Sequence, residues 1–304
     1  MTTTVFMGTP VAAVPTLEAL AGSTRVTAVI TQPDRPRGRS GAPEATPVKQ
    51  RALELGLPVA DPDSADALNQ VMAGLGPVDV GVVVAYGRIL RREVIDVPAA
   101  GFLNVHFSLL PRWRGAAPVN RAIMAGDSMT GVTLIKIDEG LDTGPVLNAQ
   151  AIDIRSDETA GDLTERLSVL GARLLVDSLP RYLAGEITPV EQSSDGLTYA
   201  AKIHSSERAI DLAQRPLEVV NHVRGLAPTP AATLLIDGMA HKILMADTTD
   251  ERIEPRTWAL RDSWPIVGVR DGAIRVLQIQ APGKSAVAAD AWARGRRVES
   301  GLVA

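Results

Sequence analysis

Up to about residue 185 the apolar positions form short unbroken runs separated by stretches of helical spacing; beyond it they come in brief segments broken by Asp-Gly pairs. The unbroken runs predict strands at Thr3 to Met7, Arg25 to Ile30, Val78 to Ala85 and Gly101 to Leu110, because a strand buried on both faces has no polar side to alternate with. Helical spacing predicts helices over Val11 to Leu20 and Pro47 to Leu55, the second begun near Thr46. Thr159 followed by Asp162 marks another helix start, after which Leu163, Leu167, Leu170 and Leu174 recur at helical intervals until Pro180 and Gly185. Strands and helices in alternation predict an α/β fold, a Rossmann-like, mostly parallel sheet with helices on both faces.

From Ile187 to Arg215 the pattern loosens into a polar stretch containing Glu191-Gln-Ser-Ser-Asp-Gly196. After a short helix over Pro216 to Gly225, strands are punctuated by Asp237-Gly238 and Asp271-Gly272, both hairpin signals. The expected organisation is a first domain over residues 1–188, a linker over 189–205, and a small antiparallel β-barrel over 206–304.

A length of 304 residues suits two domains, each with its own core. The 0 Cys exclude disulfides, thiolate nucleophiles and cysteine zinc sites, and fit a reducing cytoplasm. The four histidines, at 106, 204, 222 and 241, show no ligand spacing, so no metal is expected. Neither the N-terminus nor any apolar run predicts a membrane segment. A net charge of -4 does not decide against nucleic acid, because binding follows the local distribution of charge. Three basic clusters are candidates for phosphate contact: Arg35, Arg37, Arg39, Lys49 and Arg51; Arg112, Arg114 and Arg121; and Arg294, Arg296 and Arg297. Each reads equally well as a solvated face.

Met7-Gly8-Thr9-Pro10 follows a strand and opens a helix, but one glycine is too few for a dinucleotide fingerprint, and no phosphate-binding Gly-Lys loop occurs. The chemistry concentrates elsewhere. Asn104 and His106 are two apart in a strand, so their side chains leave the same face. A strand over Val132 to Ile137 then leads into the Gly-bounded loop Glu139-Gly-Leu-Asp142-Thr-Gly144, which can return a carboxylate toward them. Taken singly, each reads first as a structural residue: Asn104 and His106 as strand-end hydrogen-bonders, Asp142 as a turn cap. What tips the balance is the whole string: a rigid turn built on Pro111, Gly115 and Pro118 directly follows the strand of Asn104 and His106, at the strand end where open α/β sheets hold ligands.

At these residues the chain resembles the formyltetrahydrofolate-dependent formyltransferases, over nearly its whole length. The Asn104-x-His106 pair with Asp142 resembles the whole family, and the likeness also includes Ser108-Leu-Leu-Pro111, Met7-Gly-Thr-Pro10, Thr31-Gln-Pro-Asp-Arg35 and Val82-Val-Val-Ala-Tyr-Gly87. Gln32-Pro-Asp34 and Arg112-Trp-Arg-Gly-Ala-Ala-Pro118 resemble the branch that acts on tRNA. Phe107 departs from the family pattern, where a small residue or Pro is expected. The resemblance implies transfer of a formyl group from 10-formyltetrahydrofolate, a co-substrate, to the α-amino group of methionyl initiator tRNA, by a monomer. It implies Asn104, His106 and Asp142 as catalytic residues, Ser108, Leu109, Leu110 and Pro111 as folate contacts, the Val82 to Leu90 segment as a pterin wall, Arg37 and Arg39 as tRNA contacts, and an OB-like C-terminal barrel for tRNA. In this scheme Asn104 and His106 donate to the oxyanion, while Asp142 orients His106 and takes up the amine proton through a water. Rival acceptors are an amino sugar, glycinamide ribonucleotide or water. A non-catalytic RNA-binding platform and a metal-dependent hydrolase are the readings from other classes.

Overall fold

The computed structural model describes residues 1–36, 41, 43–296 and 299–304. They form two compact units that interleave along the chain: Met1–Pro118 with Thr130–Ile152 and Thr164–Ala200, and Val119–Met129 with Asp153–Leu163 and Ala201–Ala304. The expected linker therefore belongs, up to Ala200, to the first unit. Among the described residues, no helix is long and apolar enough to cross a membrane.

The first unit is built on strands β1 (Thr3–Gly8), β2 (Arg25–Ile30), β3 (Val59–Ala60), β4 (Val80–Val84), β5 (Phe102–His106), β6 (Met129–Lys136) and β7 (Val146–Asp153). Their order across the sheet is β7-β6-β5-β4-β1-β2-β3. β1 runs parallel to β2 and β4, β2 to β3, and β4 to β5, whereas β6 runs antiparallel to β5. All five residues of β4 are buried, as the unbroken valine run predicts for an interior parallel strand. β5 is shorter than expected, and the cause is local. The Thr133 hydroxyl on β6 donates to the Ser108 carbonyl at 2.7 Å and accepts from the Leu110 N–H at 3.1 Å. A side chain thus takes over from the ladder and leads the chain off the sheet after His106.

Helices α1 (Val14–Ser23), α2 (Pro47–Glu54), α3 (Ala65–Ala73), α4 (Arg92–Ile95) and α6 (Ala160–Leu183) follow the strands, while α5 (Pro118–Met124) belongs, after Pro118, to the second unit. Thr46 caps α2, its side chain accepting from the Lys49 N–H at 3.1 Å, as the sequence predicts. Ser64 caps α3 in the same way. On α6, Leu163, Leu167 and Leu174 of the expected apolar stripe are buried and Leu170 is half-buried, while Leu175 and Leu179 extend the buried face. Pro180 does not end α6, which continues to Leu183: the Tyr182 hydroxyl donates to the Ala100 carbonyl at 2.9 Å, and the turn closes at Gly185 with φ +76°. A tertiary anchor outweighs the helix-breaking tendency of proline here.

In the second unit, helix α7 (Pro216–Leu226) precedes strands β8 (Ala232–Ile236), β9 (Met239–Thr249), β10 (Thr257–Arg261), β11 (Trp264–Val269) and β12 (Gly272–Gln280), then helix α8 (Ala289–Arg294) and strand β13 (Ser300–Leu302). The order is β8-β9-β12-β11-β10-β13, antiparallel throughout. The Leu235 N–H donates to the Ala304 carbonyl at 2.8 Å and the Ala304 N–H returns the bond at 3.0 Å, so the C-terminus meets β8 and joins the two ends of the sheet. Trp258, Val267, Ile274 and Val276 pack with Val219 and Val223 of α7 in its core. Asp237-Gly238 forms the expected two-residue turn, with both φ angles positive. The hairpin between β11 and β12 turns on Arg270-Asp271, one residue before the expected Asp271-Gly272, since Val269 pairs with Gly272. Another, at Asp262-Ser263, has positive φ at both positions and no glycine to signal it.

Candidate active site

Asn104 and His106 stand at the carboxyl end of β5, the first half-buried and the second buried. Val105 points to the opposite face, where a Cβ on Gly171 of α6 would lie 2.5 Å from its Cγ1 and 3.6 Å from the Phe107 ring. Phe107 is thus accommodated by a glycine on the far side of the strand and does not crowd His106.

Asp142 reaches the pair on the loop between β6 and β7. Its backbone is left-handed, with φ +53°, a conformation Asp tolerates better than most residues. Gly144 allows the loop to fold back so tightly: a Cβ there would sit 1.8 Å from the Lys136 carbonyl oxygen. The Asn104 amide donates to Asp142 Oδ1 at 3.1 Å, and the Gly115 N–H donates to Oδ2 at 2.9 Å. His106 Nδ1 lies 3.6 Å from Asp142 Oδ2, and its Nε2 is 2.9 Å from the Trp113 carbonyl. A carbonyl only accepts, so Nε2 carries the hydrogen and Nδ1 faces the carboxylate. The close contact orienting His106 comes from the Trp113 carbonyl, while Asp142 is itself held by Asn104 and Gly115.

The segment expected as a linker frames this arrangement. Val190 bridges Val146, the Trp113 N–H donates to the Thr198 hydroxyl at 2.9 Å, and Tyr199–Ala200 pairs with Arg114–Gly115. The Gln192 amide donates to the carbonyls of Asp142 at 2.8 Å and Gly144 at 2.7 Å. Its oxygen accepts from Arg114 Nε and Nη2 at 3.0 and 2.7 Å.

Beside the trio opens a slot of about 150 Å³, walled by Val83, Ile89, Leu90, Ile135, Ile137 and Leu141, with Arg88, Asn104, Asp138, Glu139 and Asp142 as its polar positions. Ile89 is 84% exposed and Leu141 55%, an unusual disposition for such side chains that equips the slot to take a flat apolar ligand. Of the Val82 to Leu90 segment, Val83, Arg88, Ile89 and Leu90 line it. Ser108, Leu109, Leu110 and Pro111 do not. The buried Ser108 hydroxyl donates to the Arg112 carbonyl at 2.6 Å, and the Leu110 N–H is held by Thr133. Ile135 and Ile137 escaped the sequence reading, although alternation along the Val132 to Ile137 strand places them on one face. Thr133 and Gln192 gave no local signal.

The basic clusters prove heavily committed. Arg121 forms a two-point pair with Glu207 at 2.6 and 3.0 Å, and these bonds, with the His204 N–H, hold the Glu207 carboxyl down to about 2. Lys49 bonds Asp34 and Asp61, which raises its ammonium pKa. Arg51 bonds Glu54 and Glu18, Arg294 pairs with Asp290, and Arg112 lies over the Trp113 ring. Arg296 bonds Asp237 and lies over Trp258 and Trp292. Arg37, Arg39 and Arg297 lie outside the described residues.

The formyl transferase family profile matches residues 4–179, and the profile of the formyl transferase C-terminal domain matches residues 202–297. The chain is 48% identical over 304 residues to methionyl-tRNA formyltransferase of Halorhodospira halophila, with 98% of this chain and 97% of the relative covered. It is 46% identical over 300 residues to methionyl-tRNA formyltransferase of Ruegeria pomeroyi, covering 98% of each. Among solved structures, an N-formyltransferase from Helicobacter canadensis in complex with folinic acid and dTDP-3-aminofucose superimposes with a TM-score of 0.71 at 21% identity, over 92% of this chain and 100% of that one. HypX from Aquifex aeolicus in complex with tetrahydrofolic acid gives 0.67 at 18% identity, over 95% of this chain and 46% of that one. The two structures share the fold. The profiles and the full-length relatives place the chain in the formyl transferase family.

Proposed function

We propose that this formyl transferase moves the formyl group of 10-formyltetrahydrofolate onto the α-amino group of methionyl initiator tRNA. The observation that carries this reading is the convergence of Asn104, His106 and Asp142 beside an apolar slot. Full-length identity of 48% to a methionyl-tRNA formyltransferase supports the acceptor. The catalytic domain takes in residues 1–188 and the stretch up to Ala200 that frames the site, and 201–205 act as the connecting segment. Residues 206–304 act as an OB-like domain for tRNA, supported by the antiparallel barrel pairing of β8 to β13.

A free α-amine titrates near 7.7 to 8.0, so part of it is neutral and nucleophilic at physiological pH. Its nitrogen attacks the formyl carbon, and the carbonyl electrons move to oxygen. The second hydrogen of the Asn104 amide, left over after its bond to Asp142, stabilises that oxyanion, as does the Nδ1–H of His106 in its doubly protonated form, whose Nε2–H stays on the Trp113 carbonyl. The nitrogen passes its proton through a water to Asp142. Collapse restores the carbonyl and breaks the bond to the folate nitrogen, which takes up through water the proton that Asp142 received; formyl-methionyl-tRNA and tetrahydrofolate leave. The residues present fit the folate: Ile89, Leu90, Ile135, Ile137 and Leu141 suit a flat ring system, with Asp138 and Asp142 to accept from its N–H groups. The likeness of the Ser-Leu-Leu-Pro string to the family supports Ser108, Leu109, Leu110 and Pro111 as further folate contacts. The same kind of likeness supports Arg37 and Arg39 as tRNA contacts. No step here requires a metal.

The test offers the protein 10-formyltetrahydrofolate with charged initiator tRNA, a nucleotide-linked amino sugar, glycinamide ribonucleotide or water as acceptor. Formylation of methionyl-tRNA alone is expected. Preferential turnover of any other acceptor refutes the assignment.

A further inference from the structure

Gln192 lies in a stretch where Glu191, Ser193 and Ser194 are polar neighbours and 191 and 193 are exposed, yet its own side chain is half-buried and uses its full hydrogen-bonding capacity. Its two N–H groups go to two carbonyls of the Asp142 loop, at 2.8 and 2.7 Å, and its oxygen takes two bonds from one guanidinium, at 3.0 and 2.7 Å. Reversing the amide would set its oxygen against both carbonyls and its N–H groups against Arg114, so the network allows one orientation. Arg114 stands between Trp113, whose carbonyl orients His106, and Gly115, whose N–H holds the Asp142 carboxylate. One carboxamide therefore ties the loop that carries the catalytic carboxylate to the turn that holds both carboxylate and imidazole. Neither Glu nor Lys meets this requirement. Glu offers no donor to the carbonyls, and Lys offers no acceptor to Arg114.

We propose that Gln192 is a positioning residue for formyl transfer, fixing the Asp142 loop against the Trp113–Gly115 turn. It touches neither substrate and acts through Asp142. The inference rests on the reaction proposed above. A site carboxylate displaced by about an ångström typically loses on the order of a hundredfold in rate, and loss of supporting contacts 10- to 100-fold.

The experiment compares the wild-type chain with Gln192→Leu, which removes all four bonds at similar volume, and Gln192→Glu, which keeps the bond to Arg114 and loses both donors. kcat is measured with each substrate saturating, KM is measured for each substrate, and thermal unfolding is followed in parallel. Both variants are expected to lose roughly 10- to 100-fold in kcat, with both KM values within about threefold of wild type. In an Asp142→Asn background, Gln192→Leu should cost little more, because the group it positions is already disabled. If Gln192→Leu unfolds early, Gln192→Glu carries the same comparison. Variant kcat values within threefold of wild type, a loss expressed only in KM, or fully additive losses with Asp142→Asn would each overturn the proposal. Wild-type protein that fails to formylate methionyl-tRNA would instead sink the reaction itself, so the two failures are distinguishable.

Discussion

Asn104 has two amide hydrogens and spends one on Asp142 Oδ1 at 3.1 Å, which leaves one for charge developing in the slot it lines. Asn104→Ala removes both and also unpairs one oxygen of a half-buried carboxylate. We expect kcat to fall on the order of a hundredfold or more, the usual cost of an oxyanion donor, with folding intact; single-turnover formylation of methionyl-tRNA and circular dichroism check this. Asp142→Asn keeps a side chain that tolerates the left-handed backbone at φ +53° and removes the charge. It should fold normally and lose a comparable factor in kcat, because an amide cannot accept the amine proton. A rate within threefold of wild type would take Asp142 out of the proton path. The identities of these two residues, and of His106, were legible in the sequence because strand spacing and a Gly-bounded loop announce them. Their hydrogen-bond partners were not: the Trp113 carbonyl and Gly115 N–H are backbone groups, which no residue type reveals.

The elements that hold the site differ in how openly the sequence declares them. β4 is buried at every position and reads as an unbroken run of apolar residues. β7 has an irregular half-exposed pattern with polar Asn148 and Gln150, so no period of two emerges from it. β5 was overestimated because apolar Leu109 and Leu110 continue the run after Thr133 has already drawn the chain off the sheet. The loop after β6 depends on Gly144, where a methyl group would collide with the Lys136 carbonyl. Gly144→Ala is expected to cost about 1–3 kcal/mol in urea unfolding and to lower kcat with it, since relieving the clash moves Asp142. In the second unit, Arg121 on α5 and Glu207 join segments far apart in sequence through two bonds. The Arg121 side chain, then the His204 N–H, lower the Glu207 pKa from 4.5 to about 2. A depressed carboxyl stabilises the fold fully above its unfolded value, and that contribution drains away as pH falls from about 4.5 toward 2. Arg121→Ala should therefore cost on the order of 1 kcal/mol at pH 7, discounted for solvent screening, and flatten the decline in stability between pH 5 and 2. Urea titrations of both proteins at pH 7, 4 and 3 measure it, and parallel declines would dissociate Glu207 from the effect.

At the scale of the whole molecule, a chain of net charge -4 must bind a polyanion in the proposed reaction, and several basic residues of its clusters are already matched within the structure. Lys49, Arg51, Arg121, Arg294 and Arg296 each face a carboxylate, and Arg114 is held by Gln192. The tRNA-branch resemblance singles out Arg37 and Arg39 for contact with phosphate, and they are followed by the exposed Pro43–Glu44 segment. A phosphate contact releases counterions, so each one adds about 0.9 to the slope of log affinity against log salt on duplex nucleic acid and about 0.7 on single strands. Two such contacts give a combined change near 1.4 to 1.8, which KM for methionyl-tRNA, measured from low to moderate salt, is precise enough to resolve. Arg39→Ala should raise that KM several-fold at low salt and lower the slope by about one contact; Arg37→Ala should act in the same direction, and the pair together should approach the sum. KM for 10-formyltetrahydrofolate should stay unchanged, because a small ligand in the slot between Ile89 and Leu141 does not depend on the counterion atmosphere of a nucleic acid. An unaltered salt slope in both single variants would place the phosphate contacts elsewhere on the chain, with Arg35, exposed in its short pairing with Pro43–Glu44, as the next residue to substitute.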